Sequence, residues 1–395
     1  MPAMGEPLSL YLHIPFCTAK CGYCDFNSYA GHEHLIPSYT GALVQEAQLW
    51  RRATAGRPIA TVFFGGGTPS LMPLEEMRTL LDGMRDTFEI TSDAEVTLEA
   101  NPGSLDEAYL GGLLDLGVNR LSIGVQSFHD DELRALDRLH SAADAREAFR
   151  SARAAGFENV NLDLIFGLPE QPMERWQASV EEALELGPEH LSLYALTVEE
   201  GTPLARDVER GRTPSPDPDM QADQYEWTCE RLARAGYEQY EISNWARPGY
   251  RCRHNLTYWE CREYLGLGAG AHSYFDGVRF AVAAGPAQYL ELVGESWRAA
   301  SDGHGETKMR HVVSGETITR ELAIADALIL GLRLNEGVGL AAFRERFGVE
   351  LMDAAGVALR EPLEHGLLEI DSGRVRLTDR GRLLSNEVFA RLLPD

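Results

Sequence analysis

Three cysteines crowd into one short stretch, Cys17-Thr18-Ala19-Lys20-Cys21-Gly22-Tyr23-Cys24, with CxxxCxxC spacing. Thiols at i, i+4 and i+7 would share one face of a helix. Pro15 just before them, Gly22 among them and a strand-like run leading in argue instead for a loop that folds around something. A structural zinc site takes four ligands, usually in two pairs, and this stretch offers three. Three thiolates on one loop suit an iron–sulfur cluster with one iron left without a protein ligand. Cys229, Cys252 and Cys261 stand far away in the sequence.

A second set of polar residues needs positioning. Gly65-Gly66-Gly67-Thr68, Glu99, Gln126 and Asp163 each stand at or near the end of a short apolar, partly β-branched run. The runs are 9–14, 61–64, 95–98, 120–125, 159–165, 191–196 and 238–242, and Cys17 follows the first of them. Between most of them lie amphipathic stretches of helical period: 38–52, 74–84, 105–116, 144–155, 174–186 and 222–235. Gly117-Val118, Gly156-Phe157 and Gly236-Tyr237 read as glycine helix stops. The rhythm predicts an α/β fold with a parallel sheet and right-handed crossovers. A full eight-unit barrel takes about 250 residues, so residues 1–245 predict a partial, incomplete parallel β/α barrel. A doubly wound open sheet is the competing arrangement. In either, ligands bind at the carboxyl ends of strands, where five strands here deliver polar groups to one rim.

Of 395 residues, 36 are Lys or Arg and 61 are Asp or Glu, a net charge of −25. Such a chain repels phosphate backbones, which argues against broad nucleic-acid binding. No apolar run approaches the roughly 20 residues that span a bilayer, and the first ten residues do not read as a secretory signal. A cytoplasmic location follows, where clustered cysteines mean metal or catalysis rather than disulfides.

The CxxxCxxC loop resembles the signature of the radical S-adenosylmethionine superfamily. The resemblance runs nearly the full length and implies a 4Fe-4S cluster on Cys17, Cys21 and Cys24, with S-adenosylmethionine chelating the open iron. Tyr11-Leu12-His13-Ile14-Pro15-Phe16-Cys17 is similar to the start of the anaerobic coproporphyrinogen oxidases and their HemW-type heme chaperone relatives. The oxidases carry a fourth cysteine at CxC spacing, where this chain has Phe26, and a long N-terminal extension before the position of Tyr11. Both departures point to the HemW-type branch. Carried over by position, the cofactor contacts are Tyr11, Gly66, Gly67, Thr68, Glu99, Gln126, Arg138 and Asp163, with Ala195 as a backbone contact.

His254-Asn255-Leu256-Thr257-Tyr258-Trp259 reads HNxxYW. Physically it joins an imidazole to two flat rings able to stack on a macrocycle, a pattern that by itself is more often a packed core feature. The resemblance associates it with heme, through His254, Tyr258 and Trp259; Cys252 and Cys261 flank it as alternative thiolate ligands, and His272 is a further candidate. The glycine-rich 264–273 resembles a family segment that returns to the barrel mouth. Residues 246–317 form the heme-motif segment and a linker, with 300–315 polar and loop-like. Residues 318–395 predict a winged-helix-like α+β appendage: helices at 318–332, 340–347 and 355–365, a hairpin at 367–377 and a final helix at 378–393. From Arg320 onward ten Arg face thirteen Asp or Glu, a poor surface for DNA.

The resemblance therefore implies a heme chaperone, binding heme and passing it to acceptor proteins, respiratory ones among the candidates. Whether the chain is also an enzyme stays open. An oxygen-independent coproporphyrinogen III oxidase of porphyrin biosynthesis is the alternative, and a DNA-binding regulator a remote one. No membrane span is expected, and peripheral docking is left open.

Overall fold

The computed structural model describes residues 5–301 and 309–394. It comprises two compact units, Met1–Thr228 with Tyr264–Glu316, and Cys229–Glu263 with Thr317–Asp395. Among the described residues no helix is long and apolar enough to cross a membrane.

In the first unit, β1 (Leu8–Ile14), β2 (Ile59–Gly66), β3 (Ile90–Ala100), β4 (Arg120–Gln126), β5 (Val160–Phe166) and β6 (His190–Ala195) lie side by side in sequence order, every pair parallel. A doubly wound sheet would reverse its strand order at a switch point. Sequential order is that of a β/α barrel, left incomplete here. On the other side of β1, β7 (Tyr264–Leu267) pairs parallel to it. Beyond it lie β8 (His272–Phe275), β9 (Val278–Val282) and the edge strand β10 (Val312–Thr317).

The helices α1 (Ile36–Trp50), α2 (Leu74–Thr87), α3 (Glu107–Asp115), α4 (Asp130–Ala135), α5 (Ala142–Ala155) and α6 (Met173–Leu186) connect the strands. Helix α5 shows why the boundaries fall where they do. Ser141 and Asp144 form a capping box at its start, and Gly156 ends it in the left-handed conformation. Strands covered on both faces bury nearly every residue, and the exceptions are informative. In β5 only Asp163 is less than fully buried, in β1 only Tyr11, and in β4 only Gln126. Glu99 interrupts the buried end of β3 in the same way. A polar side chain on a buried strand must face a partner or a cavity.

The second unit has its own core of Leu328, Leu332, Phe343, Leu351, Leu359, Leu368, Val375, Leu377 and Val388. Helices Arg320–Gly331, Leu340–Phe347 and Leu351–Glu364 precede the hairpin Leu368–Asp371 and Arg374–Leu377, joined by the short strand Val338–Gly339. This is the expected winged-helix-like arrangement. Three local expectations change. The last helix is two short ones, Asp379–Leu383 and Ser385–Ala390. Of the stretch read as a linker, 302–308 lie outside the described residues, while Val312–Thr317 is a strand. The heme-motif segment 246–317 is not a body of its own. Residues up to Glu263 belong with the second unit and those from Tyr264 with the first, because β7 takes its hydrogen bonds from β1.

Candidate functional site: a cavity under the cysteine loop

Phe16–Cys17 pairs in parallel with Tyr29–Ala30, so the chain leaves β1, makes a loop and returns beside its own start. The loop is tied down from within by Cys24 N–H to Cys21 O (3.2 Å) and Lys20 Nζ to Phe26 O (2.9 Å). Asn27 ties it to the glycine-rich segment and the chain beyond β9, donating from Nδ2 to Ala269 O (2.9 Å) and Ala284 O (3.0 Å). His13 Nε2 meets Asn27 O at 2.8 Å. Neither Asn27 nor His13 stood out in the sequence as an anchor, because their partners lie more than ten residues away.

Cys17, Cys21 and Cys24 are free thiols on the wall of one cavity of about 430 Å³. Thr68 Oγ1 lies 3.6 Å from Cys17 Sγ, and Arg138 Nη1 lies 3.7 Å from Cys21 Sγ. Burial holds the Cys24 thiol above its ordinary range, and the neighbouring Cys21 and Cys17 add to this. Among the described residues no three His, Cys, Asp or Glu converge to hold a single metal ion. Three thiols spread around a cavity suit the larger bulk of a cluster, whose irons are separate ligand points. At the position where a fourth cysteine would complete the set, Phe26 is 64% exposed on the cavity rim.

The cavity gathers the sequence-predicted residues from every strand of the barrel. Gly66, Gly67, Thr68, Glu99, Gln126, Arg138, Asp163 and Ala195 all line it. Gly67 lies flat against the loop: its N–H reaches Ile14 O (2.8 Å), and a Cβ there would stand 2.6 Å from Phe16 O. Gly66 has φ +113, and its N–H donates to Glu99 Oε2 (3.1 Å). Gln126 follows a bulge in β4 and has φ +67, a conformation rare for residues with side chains. Tyr11 differs from the others: it does not line the cavity. Its ring stands behind Gly65, and its hydroxyl bonds His13 Nδ1 at 2.9 Å.

The electrostatics on the cavity floor are unusual. Desolvation pushes Glu99 up to about 8, with the Asp163 charge adding to it and the Gly66 N–H and Arg120 opposing it. Asp163 is raised by burial, against bonds from Asn161, Ser192 and Ser122. Asn161 Nδ2 donates to Asp163 Oδ1 (2.7 Å) while its own Oδ1 takes Ser192 Oγ (3.1 Å) and faces His190 Nδ1 (2.6 Å). Arg138 sits on the turn after α4, pinned by Nη2 to Asn101 Oδ1 (2.6 Å) and Gly124 O (2.8 Å). Its Nε is buried and has no acceptor within the described chain. The floor thus offers two carboxyl groups held above their ordinary range on one side and an arginine Nε without an acceptor on the other. That pattern fits a ligand carrying both a cationic and a carboxylate group. Asn101, Ser122 and Tyr23 also line the cavity. The sequence reading missed them, since each sits beside a residue it chose.

The HNxxYW residues lie in the second unit, on the helix Arg253–Trp259. His254 is buried, its Nε2 2.9 Å from Tyr258 Oη, with the two rings edge to face. The face of Trp259 is covered by the Arg333 guanidinium, 4.5 Å from the ring centre. In this conformation imidazole and indole serve packing within the unit, whereas the sequence pattern suggested rings free to stack.

A cysteine loop at the carboxyl end of β1, over a cavity rimmed by the strands of an incomplete parallel barrel, defines a protein of the radical S-adenosylmethionine class. The family model of the radical SAM superfamily matches residues 11–183, and that of the HemN C-terminal domain matches 318–384. Heme chaperone HemW of Bacillus subtilis is 39% identical over 98% of this chain and 99% of its own. Heme chaperone HemW of Escherichia coli is 44% identical over 67% and 70%. Radical S-adenosyl methionine domain-containing protein 1, mitochondrial, of Mus musculus is 37% identical over 99% and 90%. The solved structure of coproporphyrinogen III oxidase (HemN) from Escherichia coli superposes with a TM-score of 0.83 at 26% identity, covering 98% of this chain and 90% of that one. The chain belongs to the HemW family of the radical SAM superfamily.

Proposed function

We propose that this protein is a heme chaperone: it binds heme, carries a 4Fe-4S cluster and S-adenosylmethionine, and passes heme to acceptor proteins in the cytoplasm or at the membrane surface. The observation that carries the reading is the near full-length relation to HemW heme chaperones, reinforced by an exposed Phe26 where the related oxidases have cysteine.

Cys17, Cys21 and Cys24 would hold the cluster, which when bound supplies an electron to the sulfonium of S-adenosylmethionine. The remaining work belongs to the chain. Arg138, with its Nε unpaired, would take the cofactor's carboxylate, and Glu99 and Asp163 its cationic and hydroxyl groups. Gly66 and Gly67 let the backbone approach closely. Tyr11 supports Gly65 from behind rather than touching the cofactor. Heme is the cargo. For His254 to ligate its iron through Nε2, that atom leaves the Tyr258 hydroxyl, so the motif is either a latch that opens or a support for another ligand such as Cys252 or Cys261.

The test is anaerobic reconstitution followed by two assays on the same sample. Heme titration is expected to give a defined Soret band that Tyr258→Phe shifts, and coproporphyrinogen III is expected to remain unconverted. S-adenosylmethionine-dependent turnover of coproporphyrinogen III by the wild-type chain would overturn the chaperone reading in favour of the oxidase.

A further inference from the structure

A second cavity, of about 660 Å³, lies on the far side of the cysteine loop; Gly22 lines it, and Tyr23 and Leu196 wall both cavities. Its floor is apolar: Leu136, Leu168 and Leu196 are buried there, with Tyr23 and Leu204 packed against them. Its walls carry Asp131, Glu132, Asp137, Glu170 and Asp207 against two cations, Arg175 and Arg212, a net of −3. Both arginines are already engaged. Arg175 bonds Asp131 and stands 3.4 Å from Glu132, and Arg212 bonds Asp207 at 3.1 Å. Asp137 and Glu170 are exposed and form no ion pair among the described residues. Both hold a positive φ, +53 and +58.

A third kind of group lines the same groove. Gln171 is only 5% exposed, and its Oε1 accepts from Gly167 N–H at 3.0 Å. Its Nε2 has no acceptor within the described chain. A buried amide donor left unpaired is costly, and a carbonyl oxygen is its natural complement.

We infer that this groove docks a basic peptide segment of a partner protein, against the back of the loop that bears the cysteines. Leucine floor, acidic walls and an unpaired amide donor ask for three things at once: an apolar side chain, flanking Lys or Arg, and a main-chain carbonyl. A peptide supplies all three, whereas a bare cation or a polyamine supplies only charge. The net charge of −25 draws such a partner in from a distance. The inference does not depend on heme being the cargo.

The test uses the full chain and a fluorescein-labelled peptide of alternating lysine and leucine, followed by anisotropy. Its glutamate–leucine counterpart and spermine serve as competitors. Asp137→Asn with Glu170→Gln is expected to weaken the lysine peptide about tenfold. The remote exposed pair Glu75→Gln with Glu107→Gln is expected to change it less than about twofold. Carbodiimide coupling of the peptide's lysines is expected to map to groove carboxylates. Equal loss in the two pairs, displacement by spermine as effective as by unlabelled peptide, or couplings scattered over the surface would each overturn the assignment.

Discussion

Replacing Glu99 by Gln should stabilise the ligand-free protein, and by more as the pH rises. Glu99 ionises at about 8 in the fold, against an ordinary value of 4.5, because burial and Asp163 both oppose its charge. A carboxyl raised in this way withdraws stability as the pH climbs above its unfolded value, and the loss levels off above its folded value. Each pH unit between the two is worth about 1.4 kcal/mol. Gln keeps a carbonyl for the Gly66 N–H and cannot ionise. Its gain over Glu is therefore about 2 kcal/mol near pH 6 and roughly 4 kcal/mol near pH 8, as an upper bound. Urea unfolding of both proteins at the two pH values measures the difference. The same variant should bind S-adenosylmethionine more weakly, since an ionised Glu99 is what a cationic group restores. A gain that is equal at both pH values, or that shrinks as the pH rises, would refute the desolvation argument.

The remaining predictions concern the cysteine loop. Cys17→Ser, Cys21→Ser or Cys24→Ser should each abolish the brown chromophore of the reconstituted protein, while Cys229→Ser, Cys252→Ser and Cys261→Ser keep it; iron and absorbance measurements decide. Gly67→Ala should cost about 1–3 kcal/mol, because its Cβ would press on Phe16 O. It should also lower iron incorporation by displacing the start of the loop, and full iron content with wild-type stability would remove that contact from the account.

Local pattern was enough for much of this molecule. The cysteine spacing, the strand–helix rhythm and the glycine stops are all written within a few residues of one another, so the partial barrel and the rim residues could be read directly. Glu99, Gln126 and Asp163 stood out because a polar residue in an otherwise buried strand must face something. Arg138 was found by resemblance, but its role as a clamp between Asn101 and Gly124 was not, because neither partner is near it in the chain.

What only the tertiary structure decided has one physical cause: it depends on which distant segments pack together. β7 joins the sheet beside β1, which removes residues 264–316 from the segment the sequence had grouped with the heme motif. Tyr11 is absent from the cavity lining and faces His13 and Gly65 instead. In HNxxYW the sequence shows an imidazole and two rings in helical register. Only packing shows the imidazole bonded to Tyr258 and the indole covered by Arg333, seventy-odd residues away. Sequence sets which groups are available, and the three-dimensional neighbours determine whether each is free to meet a ligand or already used in holding the fold.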